Sequence, residues 1–405
     1  MWNQYVLSKF NKTMTKNTSI IFKALENVSH NHKNLSYSMQ SIVEMSILSR
    51  NFTSSTKMLC GKKFKLSRPL PVKMKGIQVC RFGDEKELKV NHDLVLPVQN
   101  LEDLKPNEVL VKVIYAGINP VDTYIRSGAY AVLPSVPYIP GMDAAGYIEA
   151  IGSEVCEENF SLGSRVFITG PGKNSGSYAE YVKTEQSYVY PLDDRLSFPE
   201  GVCLGIPYFT AFKALIYGAK ARKHENVLVH GASGAVGCAA VQIANYVGAK
   251  VYGTAGTEKG MEVVANCGAH HVFNHNEEDY EINMKAKTNG EGFDVIIENL
   301  ANVNLDKDMQ MIKKNARIMI VGSRGLVTIS PRHLMAPEAS IIGMSLWPTT
   351  DVQYQKIARV IHNGIISGWV KPIIDKEYSI EDAPKAHHDI IYSKGAKGNL
   401  ILRIC

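Results

Sequence analysis

Residues 227–256 read VLVHGASGAVGCAAVQIANYVGAKVYGTAG. The apolar run Val227, Leu228, Val229 stops at a glycine cluster, as a buried parallel strand does before its crossover helix. Gly231, Gly234 and Gly237 then recur at every third position. Val236, Ala240, Ile243 and Val247 step by four, three and four, which is one face of a helix, and Gly248 is a natural stop. Val251 and Tyr252 resume the sheet. Strand, glycine loop, helix and second strand in this order make a dinucleotide site: glycines let backbone amides approach a phosphate, and the helix N-terminus adds positive potential. The spacing is G-x-x-G-x-x-G, not the more familiar G-x-G-x-x-G, so the flanking strands and helix carry the reading as much as the glycines do.

A chain of 405 residues, 45% hydrophobic and 21% charged, has room for two ordinary domains and the composition of a globular protein. Its seven cysteines are scattered and suggest neither a disulfide framework nor a C-x-x-C metal ribbon, which points to a reducing compartment. The net charge of +6 divides unevenly. Residues 1–73 hold twelve Lys and Arg against two acids, for +10, and the remainder carries −4. The body is therefore mildly acidic, which argues against a broad basic groove for nucleic acid.

Residues 1–73 are rich in Ser, Thr, Asn and Lys and contain no apolar run long enough for a membrane span. They read either as a mitochondrial presequence, with Arg50-Asn51-Phe52 before Thr53-Ser54-Ser55 as the cleavage region, or as a tail or upstream extension. From Met74 to about residue 200 short alternating strands separated by charged, Gly and Pro turns predict an antiparallel β domain. Residues 201–346 alternate strands and helices. The strands are expected at 227–229, 251–254, 272–273, 295–297, 318–321 and 341–346, with helices over Glu258–Asn266 and Leu305–Lys313. This is an α/β pattern, a doubly wound parallel sheet. Residues 347–405 contain a helical stretch and a final strand from Asn399, expected to return to the first domain, and His387-His388 reads as a solvated helix face. Tyr246 and Lys250 match a Y-x-x-x-K pair, but Gly248 between them ends the helix.

A β domain, a G-x-x-G-x-x-G nucleotide domain and a returning tail resemble the medium-chain dehydrogenase/reductase superfamily. Within it the chain is similar to the zeta-crystallin-type quinone oxidoreductases, through residues 116–128 (AGINPVDTYIRSG), 205–211 (GIPYFTA), 229–237 (VHGASGAVG), 253–257 (GTAGT), 300–305 (LANVNL) and 321–325 (VGSRG). The resemblance runs from about Met74 to the C-terminus. It implies a GroES-like β-rich catalytic domain beside a Rossmann-type domain. In the zinc alcohol dehydrogenases of this superfamily a cysteine and a Gly-His-Glu motif stand where this chain has Asn119 and Gly141-Met142-Asp143. Neither an amide nor a thioether suits Zn²⁺ at those positions, so the zinc-free branch is expected, with no metal.

Carried over position by position, the resemblance places cofactor contacts at Tyr124, Ser233, Gly234, Ala235, Val236, Gly256, His275, Asn304, Val321, Gly322, Ser323, Arg324, Met344, Ser345 and Leu346. After the second strand, Thr254 to Thr257 offer no carboxylate to repel a 2′-phosphate, and Lys259 would attract one, so the expected cofactor is NADPH. The expected activity is NADPH-dependent reduction of a quinone or other planar acceptor, by one electron to a semiquinone or by two. The Tyr124 hydroxyl and the Asn119 amide are the candidate donors to the acceptor oxygen, although Tyr124 has the alternative of packing a loop and Asn119 of fixing its turn. Reduction of the double bond of an alkenal or enone is the enzymatic alternative. The resemblance also implies a homotetramer, and binding of AU-rich RNA or a crystallin-like role is the alternative of another class. A cytoplasmic location follows from the resemblance and a mitochondrial one from the basic extension.

Overall fold

The structure, a computed structural model, describes residues 65–405 except 68, 159, 171 and 173. The presequence or tail reading of the extension therefore falls almost wholly outside the described residues.

In chain order the β-rich half comprises β1 (Lys65–Leu66), β2 (Lys73–Gln78), β3 (Lys89–Val95), β4 (Glu108–Ile118), α1 (Pro120–Arg126), β5 (Asp143–Ile151), β6 (Arg165–Ile168), β7 (Tyr181–Glu185) and β8 (Val189–Pro191). The centre is β4. Val109, Leu110, Val111, Val113, Ala116 and Ile118 are all buried, because the strand has packed residues on both faces and pairs with β5, β7 and the C-terminal strand. The β2–β3 hairpin stands as a separate antiparallel pair.

Two helical segments lead into the second half. All seven residues of α2 (Ile206–Phe212) are buried, and a π-helical turn continues it over Lys213–Gly218. The stretch Phe198–Gly218 is long and apolar enough to cross a membrane, yet 72% of its most apolar window is buried inside the protein, so its apolar character is satisfied by the core. The nucleotide half then follows as β9 (Asn226–Val229), α3 (Ala235–Tyr246), β10 (Lys250–Ala255), α4 (Glu258–Asn266), β11 (His271–Asn274), α5 (Tyr280–Ala286), β12 (Phe293–Glu298), α6 (Ala301–Asp308), β13 (Ile312–Ile320) and β14 (Ser340–Gly343). These six strands form one parallel sheet in the order β11-β10-β9-β12-β13-β14. The chain runs outward from β9 in one direction and then returns to lay β12 on its other side. This reversal opens a crevice at the carboxyl ends of β9 and β12, where such sheets bind ligands.

The tail consists of α7 (Asp351–Ser367), β15 (Ile374–Ser379), α8 (Ala383–Tyr392) and β16 (Asn399–Arg403). Strand β16 pairs with β4 and with β15, joining the β-rich sheet in the order β15-β16-β4-β5-β6-β8 with β1 on β5 and β7 on β4. The fold is thus a GroES-like half and a Rossmann-like half.

Three local expectations change. The helix expected over Leu305–Lys313 is α6, which ends at Asp308, and Ile312 opens β13 opposite Phe293. Leu305 and Met309 are buried as a helical spacing requires, but Ile312 serves the sheet. The last strand stops at Gly343, leaving Met344, Ser345 and Leu346 beyond its carboxyl end. His387 is not on a solvated face: it is 1% exposed on the inner side of α8, while His388 beside it is open.

Candidate active site

The residues named from sequence as cofactor contacts within the nucleotide half all follow the carboxyl end of a strand. Ser233 to Val236 come after β9, Gly256 and Lys259 after β10, His275 after β11, Asn304 after β12, Val321 to Arg324 after β13 and Met344 to Leu346 after β14. A nucleotide lying along these ends would meet every loop in turn.

The phosphate loop is set by backbone geometry. Gly231 has φ of 60°, a left-handed turn that brings the Ala232 N–H to the Thr254 carbonyl at 2.8 Å. A Cβ on Gly237 would lie 2.3 Å from the Gly231 carbonyl oxygen and 2.6 Å from Ala232 Cα, so only glycine lets α3 rest on the turn. Gly234 begins α3 without a side-chain cap, which leaves the first-turn amides of Ala235 and Val236 without intrahelical acceptors and open to an anion. These groups fit a pyrophosphate. The loop is also fastened to the tail: the Gly398 N–H donates to the Ser233 carbonyl at 2.7 Å.

At the next loop a Cβ on Gly256 would come within 2.6 Å of His275 Nε2, so this imidazole packs directly over the bend. Burial and the nearby His230 hold His275 below the usual histidine range. Lys259, on the first turn of α4, is exposed and has no ion pair among the described residues, and Thr257 caps that helix through the Gly260 N–H. Beyond β13, the Arg324 guanidinium donates to the Ile391 carbonyl at 2.9 Å and its N–H to Asn302. Val321 and Gly322 N–H groups are held by the Glu298 carbonyl, and Ser323 bonds within its own turn to Gly325.

In the β-rich half, Tyr124 on α1 is half-buried, and its hydroxyl has no hydrogen-bond partner among the described residues. Asn119 differs. It is buried, its amide Nδ2 donates to Asp143 Oδ2 at 2.9 Å, and its N–H donates to Asp122 Oδ2 at 2.8 Å. Asp143 also accepts the Ile206 N–H at the start of α2. Burial pushes the Asp143 carboxyl up to about 6 against hydrogen bonds from Asn119 and Ile206, and pushes Asp122 up to about 8. Asp122 Oδ2 lies 3.4 Å from the Tyr178 hydroxyl, which in turn is 3.0 Å from His387 Nε2. Burial, with Arg126 adding to it, drives His387 down to about 3. Met142 is packed in the core, with its carbonyl accepting from Asn174.

Sequence reasoning missed three residues that tie the segment after β14 to its surroundings. Tyr130, after α1, meets Trp347, after β14, at 5.2 Å between ring centroids, so one aromatic pair bridges the two halves. Lys213, in the π-helical turn, donates to the Ser345 carbonyl at 2.6 Å and to the Thr349 hydroxyl at 2.7 Å, and burial lowers its pKa. Tyr130 and Trp347 are separated by 217 positions and no periodicity links them. Lys213 had one available signal, a cation inside the otherwise apolar run Ile206–Ile216.

Comparison with known proteins agrees with this layout. Residues 105–194 match the alcohol dehydrogenase GroES-like domain family, and residues 235–361 match the family described as zinc-binding dehydrogenase. The quinone oxidoreductase of Homo sapiens is 46% identical over 329 residues, covering 81% of this chain and 97% of that relative. Among solved structures, a quinone oxidoreductase of Pseudomonas syringae superposes with a TM-score of 0.72 at 25% identity, covering 82% of this chain and 99% of its own. A mycobacterial protein complexed with NADPH superposes with a TM-score of 0.73 at 23% identity, covering 82% of this chain and all of its own.

Proposed function

The chain belongs to the quinone oxidoreductase family, and on that premise we propose that it is an NADPH-dependent quinone reductase working without a metal. The observation that carries this is the succession of strand-end loops, uncapped at α3 and with no carboxylate over residues 254–257, together with a Tyr124 hydroxyl that has no hydrogen-bond partner among the described residues.

Bound NADPH supplies the reducing equivalents. The loop amides of Ala235 and Val236 take the pyrophosphate, and Lys259 faces the 2′-phosphate side of the crevice. Lys213 fixes the Ser345 carbonyl and thereby the loop after β14 that lines the nicotinamide end. The Tyr124 hydroxyl donates to the acceptor oxygen as it gains negative charge, a role for which a free donor is required. Asn119 acts by position: with its amide given to Asp143, it anchors the start of α1 and so aims Tyr124. Tyr130 and Trp347 offer apolar faces on which a planar ring can stack. Metal independence rests on donor chemistry, since an amide already spent on Asp143 and a core-packed thioether stand at the two positions a zinc would need. The match described as zinc-binding dehydrogenase covers 235–361 and includes neither residue.

The test is NADPH oxidation with 9,10-phenanthrenequinone, followed by the same assay with 2-alkenals and after exhaustive chelation. Turnover with the quinone that survives chelation is expected. Turnover confined to alkenals would transfer the assignment to double-bond reduction, and loss on chelation would end the metal-free reading. Association into a homotetramer and a mitochondrial or cytoplasmic location are further proposals, checked by sedimentation and by localising the full chain.

A further inference from the structure

The two loops that frame the crevice are tied to one group of buried ionisable side chains. His230 lies between β9 and Gly231, Glu298 closes β12 and Asp308 closes α6; the three are 2%, 0% and 0% exposed, and one ligand atom from each lies within 4.8 Å of the others. His230 Nε2 is 2.8 Å from Asp308 Oδ1. On the opposite side of the ring, Nδ1 lies 3.2 Å from the Thr254 hydroxyl oxygen, which also accepts the Gly231 N–H at 3.2 Å. Glu298 Oε1 accepts the Leu300 N–H and, at 3.3 Å, the Asn304 amide. Asn299 Nδ2 donates to the His230 carbonyl at 2.8 Å. The phosphate loop and the loop after β12 thus hang from the same three side chains. Glu298 Oε2, both Asp308 carboxylate oxygens and His230 Nε2 make no aligned hydrogen bond among the described residues, so His230 and Asp308 meet as an ion pair by distance.

Two carboxyl groups buried side by side require a proton or a cation between them. The spacing favours the proton. Ligand atoms around a tetrahedral ion at about 2.0–2.1 Å stand roughly 3.3 Å apart, whereas His230 Nε2 and Asp308 Oδ1 stand 2.8 Å apart, the distance of a direct ion pair with no room for an ion between them.

We propose that His230, Glu298 and Asp308 are a proton-sharing positioning triad, imidazolium, carboxylic acid and carboxylate, that holds the phosphate loop and the β12–α6 loop in the register that accepts the cofactor. The inference rests on the reading above that a dinucleotide occupies this crevice. With its proton the triad is neutral. Without it, one uncompensated negative charge sits behind a loop shaped for an anion, so cofactor affinity falls as pH rises. Burial pushes Glu298 up to about 7, with His230 opposing and Asp308 adding. Burial alone would lower His230, but Asp308, Glu298 and Glu281 carry it above the usual histidine value. The other groups facing the triad are Tyr280 and Glu281 of α5, Lys307 of α6 paired to Glu281, and His275. Glu281 is neutralised by Lys307, and the Tyr280 phenol is raised by burial and Glu281, so neither titrates near neutrality.

The test measures the Kd for NADPH by fluorescence titration from pH 6 to 8.5, on the full wild-type chain and on Glu298→Gln. The amide keeps an acceptor for Leu300 and Asn304 and a donor toward Asp308, and it cannot titrate. Beyond the slope that the 2′-phosphate imposes on both proteins, the wild-type Kd is expected to rise about tenfold across this range and that of the variant to stay within about twofold. Equal profiles overturn the proposal. A measurement that needs no folded variant is the ¹⁵N spectrum of the wild-type histidines: a doubly protonated His230 ring at pH 7 supports the triad, and a neutral ring overturns it. Stoichiometric metal in the purified wild-type protein, absent from Glu298→Gln, also overturns it in favour of an ion. If NADPH binds at no pH, the dinucleotide reading itself fails; if it binds with equal profiles, only the triad does.

Discussion

Each half of the molecule buries a polar network, and the two are built differently. Behind the crevice, Glu298 accepts the Leu300 N–H and the Asn304 amide, and His230 meets the Thr254 hydroxyl that in turn accepts the Gly231 N–H. In the β-rich half, Asn119, Asp122, Asp143, Tyr178 and His387 bond mainly to one another, linking α1, β5 and α8, with one backbone tie to α2. The first network shapes loops, and what those loops present is main chain. The second fixes a helix, and what that helix presents is a side chain, Tyr124. A dinucleotide's phosphates suit the former, since amides at a helix start accept any anion of the right size; an acceptor oxygen suits the latter, since one hydroxyl can be aimed.

That contrast can be broken from either side. The largest effect is expected from Gly237→Val, whose side chain would strike the Gly231 carbonyl; NADPH affinity should fall by at least about 100-fold, or ~2.7 kcal/mol, in a protein whose circular dichroism is unchanged. Next is the pH dependence of stability in the β-rich half. Asp122 is raised to about 8 in the folded chain, so its contribution is present below its unfolded pKa and is lost as pH climbs through 8; Asp122→Asn should flatten that decline in urea melts. His387 runs the other way. Depressed to about 3, it costs stability as pH falls below its unfolded value, and His387→Gln should flatten the acid limb.

Tyr124→Phe should lower kcat with a quinone about 10- to 100-fold while leaving the Kd for NADPH within a factor of two, because a donor to the acceptor oxygen is lost and the crevice is untouched. An equal loss of NADPH affinity would move Tyr124 to the cofactor. Lys259→Ala should weaken NADPH relative to NADH about fivefold, as an exposed charge near a phosphate is worth roughly 1 kcal/mol. The smallest change is expected from Trp347→Ala, a rise of about threefold in KM for planar quinones and none for small aliphatic acceptors.

What could be read from the chain beforehand follows the range of the interactions. Apolar runs and glycine spacing are local, and the α4 boundaries, Glu258 to Asn266, coincide with those expected. The α6 boundary does not. Leu305, Met309 and Ile312 keep a helical period by chance, and pairing of Ile312 with Phe293 in a neighbouring strand overrides it. His387 was illegible for the same reason on a larger scale, since its partner Tyr178 lies 209 positions away. Asn119 was recognisable as a position but not as a role: only the folded chain sets its amide against Asp143, 24 residues on. The triad behind the crevice joins His230, inside the quoted glycine stretch, to positions 298 and 308, which no local pattern links to it.

The bond from the Gly398 N–H to the Ser233 carbonyl makes the end of the chain a listener to the phosphate loop. Strand β16 begins one residue later and runs into the centre of the β-rich sheet beside β4. A displacement of the loop therefore has a direct main-chain route into the β-rich half, with no side chain as intermediary. The slowing of amide exchange at Gly398 would report, from inside the β-rich half, that the other half has been filled.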